Sequence, residues 1–327
     1  MMQNIRVGVV RGGPSEEHDI SMLTGAAVLE GLRDSSDQFE PIDIVVTKAG
    51  GWLYNGREWY PERLLALVDV IFVALHGAYG EDGKIQRLLD RYSIPYTGSR
   101  AYASSIAMNK VLTKDILRDH DIRMAPHMTV TDASRGQTHR VAEAIGSMFG
   151  PQYVIKPVSS GSSVGTMMVQ NIALLPKALD DALKTYDQVL VEKRIIGKEA
   201  TCGVLNRFRD QEIYSLPPVE IVPPGHVGFF DRTVKYDGST EELCPGRFTR
   251  AEKRTMEDAA KVVHDILGLS QYSRSDFMIS PEGIYFLEVN TLPGLTTESL
   301  FPKAMAAIGS SHKELIQHLI TDALEKR

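Results

Sequence analysis

The chain has 327 residues, 43% hydrophobic and 24% charged, enough for two or three cores of ordinary composition. A formal charge of -6 and a pI near 5.9 argue against binding a nucleic-acid backbone as its main task. No apolar run approaches the ~18 residues of a membrane span, the first residues read as a strand rather than a leader, and Cys202 and Cys244 make neither a zinc site nor a disulfide framework.

Ile5–Val10 is an apolar run of the buried kind, closed by Gly12-Gly13, and His18–Arg33 repeats apolar residues at helical spacing. Ile42–Thr47 and Val68–Leu75 predict two more strands, the second ending at His76-Gly77. Gly83–Tyr92 predicts a helix and Ile94–Tyr96 a short strand. Strands alternating with helices imply a parallel α/β sheet whose ligands sit at the strand C-terminal ends. Glu17, on the glycine turn Arg11–Ser21, reads either as a favourable first-turn acid or as the holder of a substrate ammonium. His76 reads either as a ligand contact or as a satisfied structural histidine.

Tyr102–Asp119 predicts one long helix carrying Lys110 and Lys114. From Thr129 the pattern changes to a strand, a helix (Val141–Met148), strands Tyr153–Lys156 and Gly165–Val169, a helix (Ala173–Lys184) and strand Gln188–Glu192. The loop Lys156–Gly165 is made of small residues whose hydroxyls and unobstructed amides can cradle phosphate; a plain surface connection is the alternative. Its lysine precedes the glycines, so it is not the phosphate loop that ends in Lys-Ser/Thr. Glu192–Glu199 joins two strands across an expected seam. Its backbone can meet an adenine edge and an acid there can accept a ribose hydroxyl; a salt-bridged turn is the alternative.

Ala200–Asn206, Glu212–Leu216 and Val219–Ile221 read as strands, and Pro223–Pro245 as a long irregular segment of the lid-like kind. Helices follow at Arg250–Leu267 and Glu314–Lys326, the second with a Ser311–Glu314 capping box. Between them, Ser273–Ser280 and Ile284–Asn290 predict a hairpin around Pro281-Glu282-Gly283. With a three-residue loop, Ser280 faces Ile284, Asp276 faces Glu288 and Arg274 faces Asn290, all on one face. Opposed carboxylates repel unless a cation lies between them, and an oxygen-only set with few protein donors suits Mg²⁺. A two-residue loop would instead put Asp276 and Glu288 on opposite faces as surface acids. Beyond the hairpin, Gly294 allows close backbone approach to a ligand. Ser299, at the start of the next helix, suits a carboxylate.

Taken in order, GGPSEEHDIS, ALHGAYGEDG, MNK, KPVSSGSSVG, EKRIIGKE, KY and RSDFMI…FLEVNTLPGLTTESL resemble the D-alanine–D-alanine ligase family of the ATP-grasp superfamily over nearly the whole chain. The resemblance implies an ATP-grasp fold of mixed α/β and α+β class. An N-terminal α/β domain would span 1–98, and two α+β subdomains, 99–194 and 195–327, would clamp ATP. It implies ATP-dependent joining of two D-alanines through an acyl phosphate, for peptidoglycan synthesis, by a cytoplasmic homodimer.

The same resemblance implies residue roles. Lys110 and Lys156 meet ATP phosphates, with Ser163 in the cradle. Glu192 and the backbone of Lys193 and Ile195 meet adenine, and Glu199 meets ribose. Asp276, Glu288 and Asn290 hold two Mg²⁺ ions, for which Mn²⁺ can substitute. Glu17 orients the first D-alanine, with His76 nearby, and Arg274 and the Gly294 N–H stabilise the oxyanion. Ser299 and the Leu300 N–H hold the second carboxylate. Ser162 and Tyr236 hydrogen-bond with Glu17, and Lys235 lies beside the transferring phosphate.

Two departures stand out. Phe230–Tyr236 reads FDRTVKY where the family has close to YDYEAKY, and Leu292 stands where serine or another small residue is common. Retention of Tyr236 favours D-alanine over D-lactate as acceptor. The alternatives are a D-alanine–D-lactate, D-alanine–D-serine or other dipeptide ligase and, in another class, a non-catalytic nucleotide-binding relative. The last would lack a metal acid or the oxyanion arginine, and neither is missing.

Overall fold

The computed structural model describes residues 4–35, 37–161, 164–224 and 240–325, and its strands form three sheets. The first contains β1 (Ile5–Gly12), β2 (Phe39–Val46), β3 (Trp52–Tyr54), β4 (Arg57–Trp59) and β5 (Val70–Ala74), in the order β4-β3-β2-β1-β5. β1 runs parallel to β2 and β5, as its uninterrupted apolar sequence requires when both faces are covered. Helices α1 (His18–Arg33), α2 (Pro61–Leu65) and α3 (Lys84–Arg91) belong to this part of the chain. The β3–β4 hairpin was not among the expected elements, although its signal is local. Asn55 and Gly56 both take positive φ, 50° and 72°, as a two-residue Asn-Gly turn between aromatic strands demands. Ile94–Tyr96 contributes a single parallel bridge, Ile71 to Tyr96, rather than a strand.

The helix expected over Tyr102–Asp119 is broken in two, α4 (Ala101–Met108) and α5 (Lys110–Leu117). Asn109 sits at the break with φ -91° and ψ 100°, and its Oδ1 accepts the N–H groups of Val111 and Leu112 at 3.1 and 3.0 Å. An apolar period cannot reveal this break, because it continues through it. The break lets the Lys110 N–H donate to Val158 O at 2.9 Å, which ties α5 to the loop after Lys156. Asn109→Ala is expected to cost about 1 kcal/mol of stability, the usual worth of such a cap. Chemical denaturation of the pure variant checks it.

The second sheet holds β6 (His127–Thr131), β7 (Tyr153–Pro157), β8 (Met167–Val169) and β9 (Gln188–Lys193), in the order β6-β9-β7-β8 and antiparallel throughout. Helices α6 (Thr138–Met148) and α7 (Leu175–Thr185) pack against it. The third sheet runs β13-β12-β10-β14-β15, with β11 also paired to β10. Its strands are β10 (Lys198–Phe208), β11 (Gln211–Ser215), β12 (Val219–Val222), β13 (Glu241–Leu243), β14 (Tyr272–Ser280) and β15 (Gly283–Asn290). β13 lies inside the segment read as irregular; residues 225–239 of that segment are outside those described.

Helix α8 (Arg250–Ile266) covers the third sheet, and α4 and α5 share that core through Ala103, Ile106, Ala107 and Leu117. The chain closes with α9 (Leu300–Ala307) and α10 (His312–Glu325). The Ser311 capping box is present, with Glu314 N–H donating to Ser311 Oγ at 3.2 Å and Ser311 N–H to Glu314 Oε2 at 2.7 Å. Leu315, Ile316, Leu319 and Ile320 of α10 pack into the core of the first sheet. The end of the chain therefore returns to its beginning, and the segment between β15 and α9 is held against the first sheet.

Candidate active site

The site is built on the hairpin of β14 and β15. Asp276 pairs with Glu288 and Arg274 with Asn290, the pairs expected from the three-residue loop, but the loop itself has two residues. Ser280 faces Gly283, not Ile284. The two registers are reconciled by a bulge between Asp276 and Phe277 that leaves Leu287 unpaired. Its physical reason is visible in the pairs on either side. Phe277 and Phe286 are both 1% exposed and meet edge to face, so the extra residue is what lets both rings stay in the core while the acids stay opposed.

One face of the hairpin thus carries four polar side chains. Arg274 donates from Nε and Nη2 to the two Asp276 oxygens at 2.9 and 3.0 Å. Burial works against the Arg274 charge, but Asp276, Glu288 and Glu81 outweigh it and raise its pKa. Asn290 donates its amide nitrogen to Asp276 Oδ2 at 3.0 Å, leaving its oxygen as a donor for a cation. Thr201 donates to Asp276 Oδ1 at 2.6 Å. Glu288 Oε2 lies 3.3 Å from Lys110 Nζ, which also donates to Ser160 O at 2.5 Å. Among the described residues no three His, Cys, Asp or Glu side chains cluster as metal ligands. Two carboxylates and an amide oxygen nevertheless fit Mg²⁺, whose remaining positions go to water and phosphate.

A cavity of about 300 Å³ opens on one side of this face, between the second and third sheets. Its walls include Lys156, the run Glu192–Glu199, Met278 and Leu287, so the unpaired bulge residue becomes part of its lining. Glu192 lies at its base, 3% exposed, bridging Lys114 Nζ at 2.7 Å and Lys156 Nζ at 2.8 Å. Burial alone would raise the Glu192 pKa, but the two ammonium groups hold it well below the ordinary carboxyl value. Burial likewise opposes the Lys156 charge and is outweighed by Glu192, Glu288 and Glu199. Gly197 admits no side chain, since a Cβ there would come within 2.0 Å of Ile279 O.

A second cavity, about 460 Å³, lies on the other side of the face. It brings together Glu17, His76, Glu81, Arg274, Asn290, Gly294, Ser299 and Leu300. Ser299 is the N-cap of α9 but makes no capping bond; its Oγ accepts the Thr296 N–H at 3.1 Å instead. The first N–H groups of α9 therefore have no side-chain cap, which favours an anion there. Both ring nitrogens of His76 are engaged by protein, Nδ1 with Leu292 O at 2.9 Å and Nε2 with Thr24 Oγ1 at 2.8 Å. Gly161 of the small-residue loop reaches this corner too. A Cβ on it would stand 3.2 Å from Glu17 Oε2 and 3.3 Å from Glu81 Oε2.

Every described candidate thus borders one of the two cavities or contacts the face between them. Ser162, Ser163, Lys235 and Tyr236 lie outside the described residues. Among the cavity residues that were not sequence candidates are Glu81, Lys303 and Glu242. Glu81 sits in a loop without periodicity, and burial pushes its carboxyl up to about 7, helped by Glu17 and opposed by the Gly77 and Leu292 N–H groups and Arg274. Lys303 pairs with Glu242 at 2.9 Å. Its position one helical turn after Ser299 was a usable signal, whereas Glu242 lay in the segment read as irregular.

Comparison with known proteins gives concordant results. A family model described as D-ala D-ala ligase C-terminus matches residues 116–321, and one described as D-ala D-ala ligase N-terminus matches residues 55–99. The chain is 35% identical over 325 residues to the D-alanine--D-alanine ligase of Geobacter sulfurreducens, covering 98% of this chain and 95% of that one. It is 38% identical to that of Anaeromyxobacter dehalogenans, with 98% and 97% covered. Among solved structures, D-alanyl-alanine synthetase A from Vibrio cholerae superposes with a TM-score of 0.85 at 25% identity, over 99% of this chain and 100% of that one. VanG D-Ala:D-Ser ligase from Enterococcus faecalis gives 0.83 at 29% identity, over 98% and 100%.

Proposed function

The chain belongs to the D-alanine–D-alanine ligase family and has its ATP-grasp fold, and from that membership we propose its reaction. It joins two D-alanines to D-alanyl-D-alanine at the expense of ATP, for peptidoglycan synthesis. The observation that carries this reading is the single hairpin face running from an apolar cavity, past two opposed acids, to a polar cavity with an uncapped helix start. Met278 and Arg274, at its ends, are four residues apart, about 13 Å along a strand, a span suited to a nucleotide and its phosphates.

Adenine occupies the cavity beside Glu192, Lys193 and Ile195, with ribose at Glu199, and the phosphates run towards Lys156 and Lys110. Ser163 belongs to the phosphate cradle. Asp276, Glu288 and Asn290 would hold Mg²⁺, which supplies charge neutralisation at the phosphates. The first D-alanine places its ammonium at Glu17 and its carboxylate at the γ-phosphorus. Attack by that carboxylate yields an acyl phosphate and ADP, in a step that depends on positioning and electrostatics. The second D-alanine sets its carboxylate at Ser299 and the Leu300 N–H, and its amine attacks the acyl carbon. The oxyanion rests on Arg274 and the Gly294 N–H, and phosphate leaves. With the Nε N–H and one Nη2 N–H held by Asp276, the Nη1 N–H groups and the second Nη2 N–H are left for that oxygen.

Lys235, Ser162 and Tyr236 are assigned to closing the site through the transferring phosphate and Glu17. Three units divided near residues 98 and 194, a homodimer and a cytoplasmic location complete the reading. Among the described residues no helix is long and apolar enough to cross a membrane.

The test is phosphate release from ATP with Mg²⁺ and single amino acids, with mass analysis of the product. Release that needs D-alanine rather than L-alanine, together with D-alanyl-D-alanine, is expected. Release only with D-serine or D-lactate as acceptor would move the chain to another branch of the family, and no release with any of them would remove the ligation reading. Tyr236→Phe is expected to improve acceptance of D-lactate relative to D-alanine. An unchanged ratio of the two kcat/KM values would exclude Tyr236 from acceptor choice.

A further inference from the structure

Leu292 lies between the proposed metal ligand Asn290 and the proposed oxyanion donor Gly294, and its backbone is held on both sides by side chains from the loop after β5. Glu81 Oε1 accepts the Leu292 N–H at 3.0 Å and the Thr291 hydroxyl at 3.4 Å. Glu81 Oε2 accepts the Gly77 N–H at 2.8 Å, so one carboxylate joins two distant stretches of backbone. The opposite face of the Leu292 peptide is met by His76, whose Nδ1 lies 2.9 Å from Leu292 O. His76 is itself fixed at Nε2 by Thr24 at 2.8 Å, and its N–H donates to Ser21 Oγ at 2.9 Å.

The side chain is held as well. Leu292 is 2% exposed and fills the space over Gly98, where a Cβ would come within 2.7 Å of Leu292 Cδ2. Glu81 is 6% exposed. It contacts neither the nucleotide cavity nor the hairpin acids through any of these bonds. A buried carboxylate is costly unless its oxygens are occupied, and these are occupied by backbone that carries catalytic groups two residues away on either side.

We propose that Glu81 is a positioning residue. Together with His76, it splints the peptide groups of Leu292 and so sets where Asn290 and Gly294 stand relative to the D-alanine cavity. The proposal rests on the ligation reading for the meaning of those two residues, and it assigns the N-terminal sheet a part in the chemistry beyond binding the first substrate. Leucine at position 292 then has a purpose that a small residue would not serve, since it anchors the same peptide through Gly98.

Glu81→Gln tests it. The amide keeps the size of the side chain but offers only one acceptor oxygen, so either the Gly77 or the Leu292 N–H faces an NH₂ group. Displacement of reacting groups by about an ångström costs on the order of 10²-fold in rate, and kcat for dipeptide synthesis is expected to fall by about that factor. ADP affinity, measured by calorimetry, is expected to stay within about twofold of the wild type, because the nucleotide cavity shares none of these contacts. Mn²⁺ affinity in the presence of ADP, followed by electron paramagnetic resonance, is expected to fall about tenfold as Asn290 shifts.

Thr24→Val removes the hydroxyl behind His76 without touching the cavity. It is expected to lower kcat in the same direction by a smaller factor, again with ADP binding retained. Wild-type kcat and Mn²⁺ affinity in Glu81→Gln would overturn the proposal. Parallel loss of ADP affinity and thermal stability would also overturn it, since that describes general loosening. If the wild-type chain makes no dipeptide, the ligation reading fails, while the Mn²⁺ comparison still decides whether Glu81 sets the loop.

Discussion

Replacing Glu288 by alanine is expected to reduce ATP-dependent dipeptide synthesis by at least about 10³-fold while leaving a folded protein. The acid stands opposite Asp276 on the open face of the hairpin, and its ion pair with Lys110 is long, at 3.3 Å. Its backbone pairing, and the Phe277–Phe286 contact below it, do not depend on the carboxylate. Losing one preorganised electrostatic partner of a transition state typically costs about 10²–10³ in rate, and loss of a proposed metal ligand in a phosphoryl-transfer site is expected to exceed that. Steady-state phosphate release with circular dichroism of the same sample checks both halves. Near-normal turnover in a folded variant would remove Glu288 from the metal set.

Glu192→Gln should have the largest effect on stability. Glu192 is 3% exposed and holds Lys114, itself 1% exposed, together with Lys156. Neutralising it leaves two buried ammonium groups facing an amide, and breaking such a pair typically costs about 3–5 kcal/mol. The loss should be read by urea unfolding near neutral pH. The pH dependence has a definite sign. The Glu192 pKa is depressed in the folded protein from its ordinary 4.5, so its stabilising contribution is complete above that value. It is lost progressively as the pH falls from 4.5 towards the folded value. The variant should lack that acid-side contribution. Equal stability of the two proteins at pH 7 would show that water reaches the two lysines and screens them.

Both variants rest on residues the sequence exposes with different clarity. The hairpin acids were legible because side-chain direction in a strand has period two, a local rule that relates Asp276 to Arg274 and Glu288 to Asn290 before any partner is known. The opposition of Asp276 and Glu288 came out as expected for a reason the sequence reading did not contain. The loop is one residue shorter than expected, and the bulge at Leu287 restores the register. Neither a turn rule nor a propensity demands that bulge; the need to bury Phe277 and Phe286 together does. Glu192 shows the converse. Its assignment to the adenine site came from the resemblance, and it does line the first cavity, while its two lysine partners, on α5 and β7, meet it only once three separate elements have packed.

The sequence by itself determined the alternation of elements in the first sheet, the antiparallel hairpin, the capping box on α10 and the segments that carry polar chemistry, because each depends on residues a few positions apart. Tertiary structure decided what those segments do to one another. Asn109 breaks a continuous helical period at the point where the Lys110 N–H meets Val158 O. Glu81, in a loop with no periodic signal, reaches Leu292, 211 residues further along the chain, and His76 reaches the same residue across 216. Contacts of that separation leave no local pattern. They form because α10 and the segment after β15 bury their apolar side chains against the first sheet, and that burial carries the polar groups of the loop into place.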